Sequence, residues 1–285
     1  MRAAFRGELF KLFRRSSIWV TIGILLALAI GLGYLVTYLV ATHPPAGARA
    51  RIQGADFAAL RSALYPSNVV SKTLTQWTNL GGVFALTLGV LVQGSEYGWG
   101  TVKTMYIQRP GRLTMMAGKL AALLLMVLVM VIALFAVDAA SSAVVALADG
   151  KSIAFPAIID LAKGMGATWL IFSMWAMFGF GLATLFRQSA MAIGLGLAYG
   201  LVIEGLVFGL LGRLGSDLVK QIHIWLPIAN AGYLSQSFGR SAGLVAGPAA
   251  AAPDADATHA VMVLAIYLIG FAFLSATLIR RRDVT

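Results

Sequence analysis

The most unusual titratable residue of this sequence is Glu204, which stands inside the apolar segment AMAIGLGLAYGLVIEGLVFGLLG (190–212). A charge in the centre of a membrane helix costs ~3 kcal/mol of insertion free energy, whereas the eleven Leu, Ile, Val and Phe residues each favour insertion by about 0.3 to 0.6 kcal/mol. The segment should therefore still insert, with the acid facing protein or water. We expect Glu204 to line a transport path or a contact between two such chains. The equally supported alternative is a protonated acid that is hydrogen-bonded to a neighbouring helix.

Glycines at four-residue spacing accompany this acid. Gly196 and Gly200, and then Gly205 and Gly209, are each one helical turn apart, a spacing that lets helices approach closely in membranes. We assign Gly200 and Gly205 to the same path or interface as Glu204.

Residues for catalysis or metal binding are otherwise scarce. Asp138 lies near the outer end of an apolar segment, where an acid is ordinary, and it has no obvious carboxylate partner. His43, His223 and His259 have no second ligand at helical spacing, and the chain contains no cysteine. We therefore predict no metal site, no bound cofactor and no catalytic residue in this chain.

A polar stretch, GSEYGWGTVKTMYIQRPGRLTMMAGK (94–119), interrupts the apolar sequence. Glu96 stands where one apolar segment ends, and Gly98 and Gly100 allow the backbone to turn without a steric penalty from a Cβ atom. Lys119 stands where the next apolar segment begins. The sequence therefore predicts a loop over 96–119 between two membrane spans.

A short helix is predicted inside this loop, over 102–108. Thr101 can cap its first turn, and Pro110 and Gly111 end it. Three side chains share one face of this helix: Val102, Met105 and Tyr106. The alternative is a plain solvated loop, because short cytosolic loops are commonly basic and an acid beside glycines can simply end a helix.

The composition is that of a membrane protein. Of the 285 residues, 59% are hydrophobic and only 12% are charged, whereas about a quarter of the residues in a soluble domain carry charge. Six segments are apolar over enough residues to cross the ~30 Å hydrocarbon layer as helices. They are 18–40, 74–95, 120–147, 166–186, 190–212 and 259–279. Because none alternates as a lipid-facing strand does, the expected fold class is all-α.

The Lys and Arg residues predict the orientation of the six spans. With six spans, both termini share one side with the loop 96–119, and that side holds 13 of the 22 Lys and Arg residues. By the positive-inside rule this side is cytoplasmic. The bases gather beside the membrane rather than in one soluble patch, so nucleic-acid binding is not expected. We predict a single membrane domain over 1–285.

An interfacial helix is predicted before the first span, within residues 1–17. In RAAFRGELFKLFRR (2–15), bases surround an apolar face, and such a helix lies along the inner membrane surface with this face among the acyl chains. The face consists of Phe5, Leu9, Leu12 and Phe13. We expect an elbow near Ser16 and Ser17, where the first span begins.

The longest outer connection is predicted over 213–258. It contains IHIWLPIANAGYLSQSFG (222–239), which is too short to span the membrane but is suited to half-insertion from the outer surface. No soluble segment is long enough for a nucleotide-hydrolysing domain, and the motif G-x-x-x-x-G-K-[ST] is missing. Any ATP chemistry must therefore come from another chain.

The order of these parts resembles that of the membrane subunits of bacterial type-2 ABC exporters. The resemblance rests on the basic interfacial helix, on EYGWGT (96–101) after the second span, and on WLP (225–227) before the last span. Arg109, Arg112 and Lys119 complete the pattern before the third span. The resemblance covers essentially the whole chain, although its individual motifs are short.

This resemblance implies a function and a set of partners. The helix 102–108 would be a coupling helix that docks into a cleft of a separate ATP-binding subunit. Ion pairs among Glu96, Arg109 and Arg112 would hold its base. The coupling residues would be Glu96, Thr101, Val102, Met105, Tyr106, Arg109 and Arg112. Two permease chains would pair with two ATP-binding subunits, which carry ATP and Mg²⁺, in the cytoplasmic membrane of a bacterium.

Two other functions are weighed against this one. An ion-coupled secondary transporter would use Glu204 and would need neither ATP nor a partner. An intramembrane protease would need a Ser-His or paired-Asp arrangement at one membrane depth, and the sequence offers neither. The membrane subunit of an ATP-driven exporter is therefore the leading hypothesis, and its substrate is not predicted.

Overall fold

The computed structural model describes residues 2–44, 57–98, 111–211, 217–242 and 255–281. The regular structure within these ranges is helical throughout, as the sequence predicts. In these ranges ten helices follow one another: α1 (Arg2–Phe13), α2 (Ser16–Thr42), α3 (Phe57–Ser62), α4 (Val69–Gly98), α5 (Arg112–Ala148), α6 (Ile158–Phe186), α7 (189–211), α8 (Asp217–His223), α9 (Pro227–Gln236) and α10 (Ala257–Arg281).

Five of the helices in the described part are long and apolar enough to cross a membrane, namely α2, α4, α5, α6 and α10. This agrees with an integral membrane protein of the all-α class. The remaining predicted span, 190–212, corresponds to α7, which is not among these five. The described helices therefore support five spans by length and composition, whereas the sequence predicts six.

Two helices contain π-helical segments. Ala29–Val36 in α2 and Tyr199–Phe208 in α7 are wound more widely than an α-helix. Such segments change which carbonyl groups are bonded within the helix, and they occur often at functional sites. In this chain the first holds Gly33 and the second holds Glu204.

Helices α4 and α5 begin earlier than the apolar segments that predicted them. α4 starts at Val69 and α5 at Arg112, whereas the predicted spans start at 74 and 120. The extensions carry Lys72 and Lys119, and both lysine side chains are buried against protein. Hydropathy begins these spans too late because it counts a lysine as polar whatever surrounds it.

The predicted loop 96–119 needs a corresponding correction. Glu96 belongs to the last turn of α4, and Lys119 lies inside α5 rather than at its start. Only residues 99–111 separate the two helices.

The core of the bundle is the contact between α4 and α6, which touch along most of their lengths. Gly89 of α4 lies against the backbone carbonyl of Ala176, and Gly179 of α6 lies against that of Leu86. Side chains at either glycine would force the helices apart, so the two glycines set the distance between the axes. Gly81 and Gly82 extend the same seam beneath Phe172 and Trp175, as shown by the ring atoms beside them.

The predicted N-terminal helix and elbow are both present. α1 ends at Phe13, and α2 begins at Ser16. The indole Nε1 of Trp19 donates a 2.7 Å hydrogen bond to the carbonyl of Phe13, which ties the two helices across the bend. Ala4, Glu8 and Leu12 of α1 are buried against the protein, whereas Phe13, on the face predicted to lie among the acyl chains, is 43% exposed.

The segment predicted to half-insert, 222–239, contains α9. This helix begins at Pro227, which suits the first helical position because proline has no N–H to leave unbonded. α9 packs against α4, α6 and α10, and most of its residues are buried.

Candidate functional site

The base of the predicted coupling loop is connected to α1 through buried charges. Glu8 is 3% exposed and accepts a 3.0 Å hydrogen bond from Lys11 Nζ. Lys119 of α5 is 4% exposed and lies within the electrostatic influence of Glu8 and Lys11. Gly118 allows this approach, since a methyl group there would lie 3.0 Å from the backbone nitrogen of Phe5. α1 is thus fixed to the beginning of α5 by packing and by charge.

The elbow after α1 is also attached to α4. Arg15 Nη1 donates a 2.8 Å hydrogen bond to the carbonyl of Leu91, two turns before the end of α4. Burial lowers the pKa of Arg15, while the nearby charge of Glu8 acts in the opposite direction. We call Glu8, Lys11, Arg15 and Lys119 the α1 brace. The brace joins α1 to both helices that flank residues 99–110.

The coupling residues themselves fall largely outside the described part of the chain. Glu96 lies in the last turn of α4, and Arg112 is the first residue of α5; only their backbones are described. The other predicted coupling residues lie outside the described residues: Thr101, Val102, Met105, Tyr106 and Arg109. The ion pairs expected among Glu96, Arg109 and Arg112 remain predictions.

The carboxylate of Glu204, a residue of α7, lies beside the first turn of α9. It is 4% exposed, and its Oε1 accepts a 2.7 Å hydrogen bond from the backbone N–H of Ala229. An acid at this position binds an N–H group that the helix itself leaves unbonded, and it interacts favourably with the positive end of the helix dipole. This contact joins Glu204 to a neighbouring helix, and its place in a transport path or in a contact between two chains stays a prediction.

The glycines predicted with Glu204 have separate environments. A methyl group on Gly200 would lie 3.2 Å from the ring of Trp175 and 3.6 Å from Ile228. The absence of a side chain at Gly200 therefore lets α6 and α9 pack closely against α7. Gly196 faces Leu86 of α4. Gly205 lies in the π-helical segment after Glu204. Gly196 and Gly200 therefore serve close contacts within this chain.

Asp138 is more deeply buried than the sequence suggests. It is fully buried, and its Oδ2 accepts a 2.6 Å hydrogen bond from Thr73. Lys72, on the same turn of α4, is 1% exposed and donates to the carbonyl of Gly33 at 2.8 Å and to Gln76 Oε1 at 2.7 Å. We call Tyr34, Lys72, Thr73, Gln76, Trp77 and Asp138 the Lys72 cluster.

Most of this cluster was not predicted from the sequence, although the sequence contains a signal for it. In KTLTQW, polar side chains recur at positions 72, 73 and 76, which share one face of a helix. When a helix has a polar face just before an apolar run, we expect polar partners for that face on neighbouring helices. Asp138, nine residues before the predicted end of the third span, was a candidate partner.

A second missed site joins three segments around Asp149. The carboxylate accepts 2.8 Å and 2.6 Å hydrogen bonds from Nε and Nη2 of Arg61, and bonds of 2.9 Å from Tyr38 and Tyr65. Hydrogen bonding from Arg61 is the main reason why the pKa of Asp149 lies well below its ordinary value. Gly150, at φ +63°, ends α5 in a left-handed turn that leaves Asp149 facing Arg61.

Two of the histidines make local contacts beside α9. His223 Nδ1 lies 3.0 Å from the hydroxyl of Tyr233, and His259 Nδ1 lies 3.2 Å from Asn230 Oδ1. The second contact joins α9 to the beginning of α10. Within the described ranges, no three His, Cys, Asp or Glu residues are grouped as a metal site requires.

Comparison with known sequences assigns most of the length of this chain to one family. No curated protein matches it. The family model described as "Protein of unknown function (DUF2705)" matches residues 51–285, which include every helix from α3 to α10. The chain belongs to this DUF2705 family.

Proposed function

We propose that this chain is the membrane subunit of an ATP-driven ABC exporter and that a separate ATP-binding subunit supplies the energy. The proposal rests on the resemblance of the sequence to type-2 exporters and on the arrangement of α1, α4, α5 and α9. It assigns the ends of α4 and α5 near residues 99–110 to the cytoplasm, with six spans and both termini inside. Two copies, or this chain and a second permease, would enclose the path.

The observation that carries the proposal is the α1 brace. Force applied to a loop moves its two flanking helices as one unit only if their ends are held together. Arg15 holds the end of α4 through Leu91, and Glu8 holds the start of α5 at Lys119. A push on residues 99–110 would therefore move α1, α4 and α5 as one unit.

The contact of α4 with α6 carries this movement further into the bundle. Because Gly89 and Gly179 bring the two backbones together, α6 must follow a tilt of α4. α9 rests on both helices and is held by Glu204. Binding of nucleotide on the inner side would thus alter the opposite end of the bundle, where α9 lies.

Purification from the native membrane tests the proposal. A tagged chain is extracted in mild detergent, and the proteins that elute with it are identified and assayed for ATP hydrolysis. We expect an ABC-type ATPase in a one-to-one ratio. A chain that carries cargo in vesicles without ATP, driven by an ion gradient, would instead be a secondary transporter.

A matched pair of variants tests where the ATP-binding subunit docks on this chain. Met105→Glu is expected to abolish co-elution of the ATPase, because a charge would enter the apolar face that docks. Ile158→Glu, at an 86% exposed position at the far end of the bundle, should leave co-elution unchanged. Loss of the ATPase in both variants, or in neither, would contradict the proposed docking face.

A further inference from the structure

Helix α1 has two opposite faces, and only one of them is covered by protein. Ala4, Glu8 and Leu12, each about one turn apart, are buried, and α1 packs mainly against α5. The opposite face is exposed, and we call it the arginine face. It consists of Arg2, Arg6, Phe10, Phe13 and Arg14. Because α1 is held by its buried face, the arginine face points away from the bundle.

The arginine face carries positive charge that no acid of the same helix balances. Glu8 is the only acidic residue within 1–17. It lies on the buried face, where it accepts the 3.0 Å hydrogen bond from Lys11. The three guanidinium groups of the arginine face therefore suit an anionic partner.

Two phenylalanine rings lie among these arginines. Phe10 is 61% exposed, and the guanidinium carbon of Arg14 lies 4.5 Å from the centroid of its ring. Phe13 is exposed on the same face. A soluble anion could pair with the arginines but would leave both rings in water, whereas burial of an apolar side chain is favourable. The partner should therefore be anionic and apolar at once.

Trp19 places the arginine face at the level of the membrane surface. It lies in the first turn of α2, which is long and apolar enough to span the membrane. Its ring is exposed, and its centroid lies 5.7 Å from that of Phe13. Aromatic side chains at the ends of spanning helices lie among lipid headgroups. The arginine face, which includes Phe13, therefore adjoins the headgroup layer.

We propose that the arginine face of α1 binds anionic phospholipids. Their headgroups pair with Arg2, Arg6 and Arg14. The rings of Phe10 and Phe13 insert among the acyl chains beneath those headgroups. A zwitterionic lipid offers the same acyl chains without net charge, so the arginines confer the selectivity. This inference goes beyond the proposed transport function and does not depend on it.

Photocrosslinking to lipids tests this surface in the whole chain. The purified protein is placed in vesicles of phosphatidylglycerol and phosphatidylcholine in equal amounts, with a trace of either lipid carrying a photoreactive diazirine. Mass spectrometry measures the labelling of peptides from 2–19 by each probe. We expect phosphatidylglycerol to label them at least about fivefold more, the effect of one basic residue near an anionic surface. Equal labelling by the two lipids would overturn the proposal.

Two double variants separate the arginine face from the net charge of the chain. Arg6→Gln with Arg14→Gln should bring the labelling ratio of the two lipids close to one. Lys151→Gln with Lys163→Gln removes the same charge from exposed positions near the far ends of α5 and α6, and it should leave the ratio unchanged. An unchanged ratio in the arginine variant, or an equal fall in the lysine variant, would overturn the proposal.

Competition with inorganic phosphate distinguishes a lipid surface from a site for free phosphate. Phosphate and chloride at equal ionic strength should lower the labelling ratio equally, because both only screen the charges. A greater fall in phosphate would show that the soluble ion occupies the arginines, which would overturn the assignment to lipid. Phe10→Gln with Phe13→Gln should reduce labelling by both lipids, and undiminished labelling would contradict insertion of the rings.

Discussion

Two buried acids of this chain, Glu204 and Asp149, have partners of different kinds. Glu204 accepts a hydrogen bond from a backbone N–H at the start of α9, whereas Asp149 accepts four bonds from side chains. Glu204 needs an acceptor oxygen at its position, since the N–H it binds is neutral. Asp149 needs its charge, because Arg61 is cationic. Substitution by the corresponding amide should separate the two roles.

At Glu204 the amide should be tolerated. Glu204→Gln keeps an oxygen that can accept from Ala229, so its free energy of unfolding should stay close to that of the natural chain. Glu204→Leu leaves this N–H buried and unbonded, and we expect a loss of about 1–3 kcal/mol in detergent unfolding. Ile203→Leu, next to Glu204 at a 46% exposed position, serves as the control. Equal stability of the Leu and Gln variants would contradict the role given to Glu204.

At Asp149 the amide should be destabilising, with a defined dependence on pH. The bond from Arg61 depresses the pKa of Asp149 below its ordinary 3.8, so the folded chain binds this proton less readily than the unfolded chain. The stabilisation is therefore complete above about pH 4 and is lost as the pH falls through the lower folded pKa.

Thermal unfolding of the Asp149→Asn variant at several pH values checks the direction of this pH dependence. The melting temperature of the variant should lie below that of the natural chain by a constant amount from about pH 7 to 5, and the two should converge below about pH 4. Asp160→Asn, at an exposed acid near the start of α6, should change nothing. A difference that grows on acidification would refute the assignment.

At the scale of elements, the contact between α4 and α6 depends on residues without side chains. Gly89 and Gly179 each lie against a carbonyl group of the other helix. In a membrane, where lipid is as apolar as leucine, such close packing is the main attraction between helices. The seam is therefore sensitive to a single added methyl group.

Gly89→Ala should destabilise the bundle, because the new Cβ would overlap the carbonyl of Ala176 and the backbones would have to separate. We expect a cost of about 1–3 kcal/mol, measured by thermal unfolding in detergent. Gly23→Ala is the matched control, since nothing lies within 4 Å of a methyl group at that position. If Gly89→Ala left the stability unchanged, the two helices could separate without cost, which would contradict this prediction.

The sequence predicted elements better than it predicted their partners. Apolar runs gave the positions of the main helices, basic residues and serines gave the elbow before α2, and Pro227 gave the start of α9. These features depend on neighbours in the chain. Lys72 was missed because hydropathy treats a buried lysine as a loop residue.

Contacts between distant residues were beyond a single sequence. Arg61 and Asp149 stand 88 residues apart, and Glu204 and Ala229 stand 25 apart. Nothing in the local pattern of either pair identifies its partner.

At the scale of the whole molecule, the helices form a bundle with a distinct set of contacts at each end. The α1 brace holds α4 and α5 beside residues 99–110, and α9 with Glu204 closes the opposite end. The seam between α4 and α6 joins them. The central claim is that a separate ATPase pushes on residues 99–110 from the cytoplasm.

Single-cysteine labelling tests this claim most directly, because the natural chain contains no cysteine. Met105→Cys and Ile158→Cys are treated in intact cells with a thiol reagent that does not cross membranes, and then with a bifunctional crosslinker after lysis. We predict that Ile158→Cys is labelled from outside, whereas Met105→Cys is labelled only after lysis and crosslinks to an ATPase. Labelling of Met105→Cys in intact cells would contradict the account.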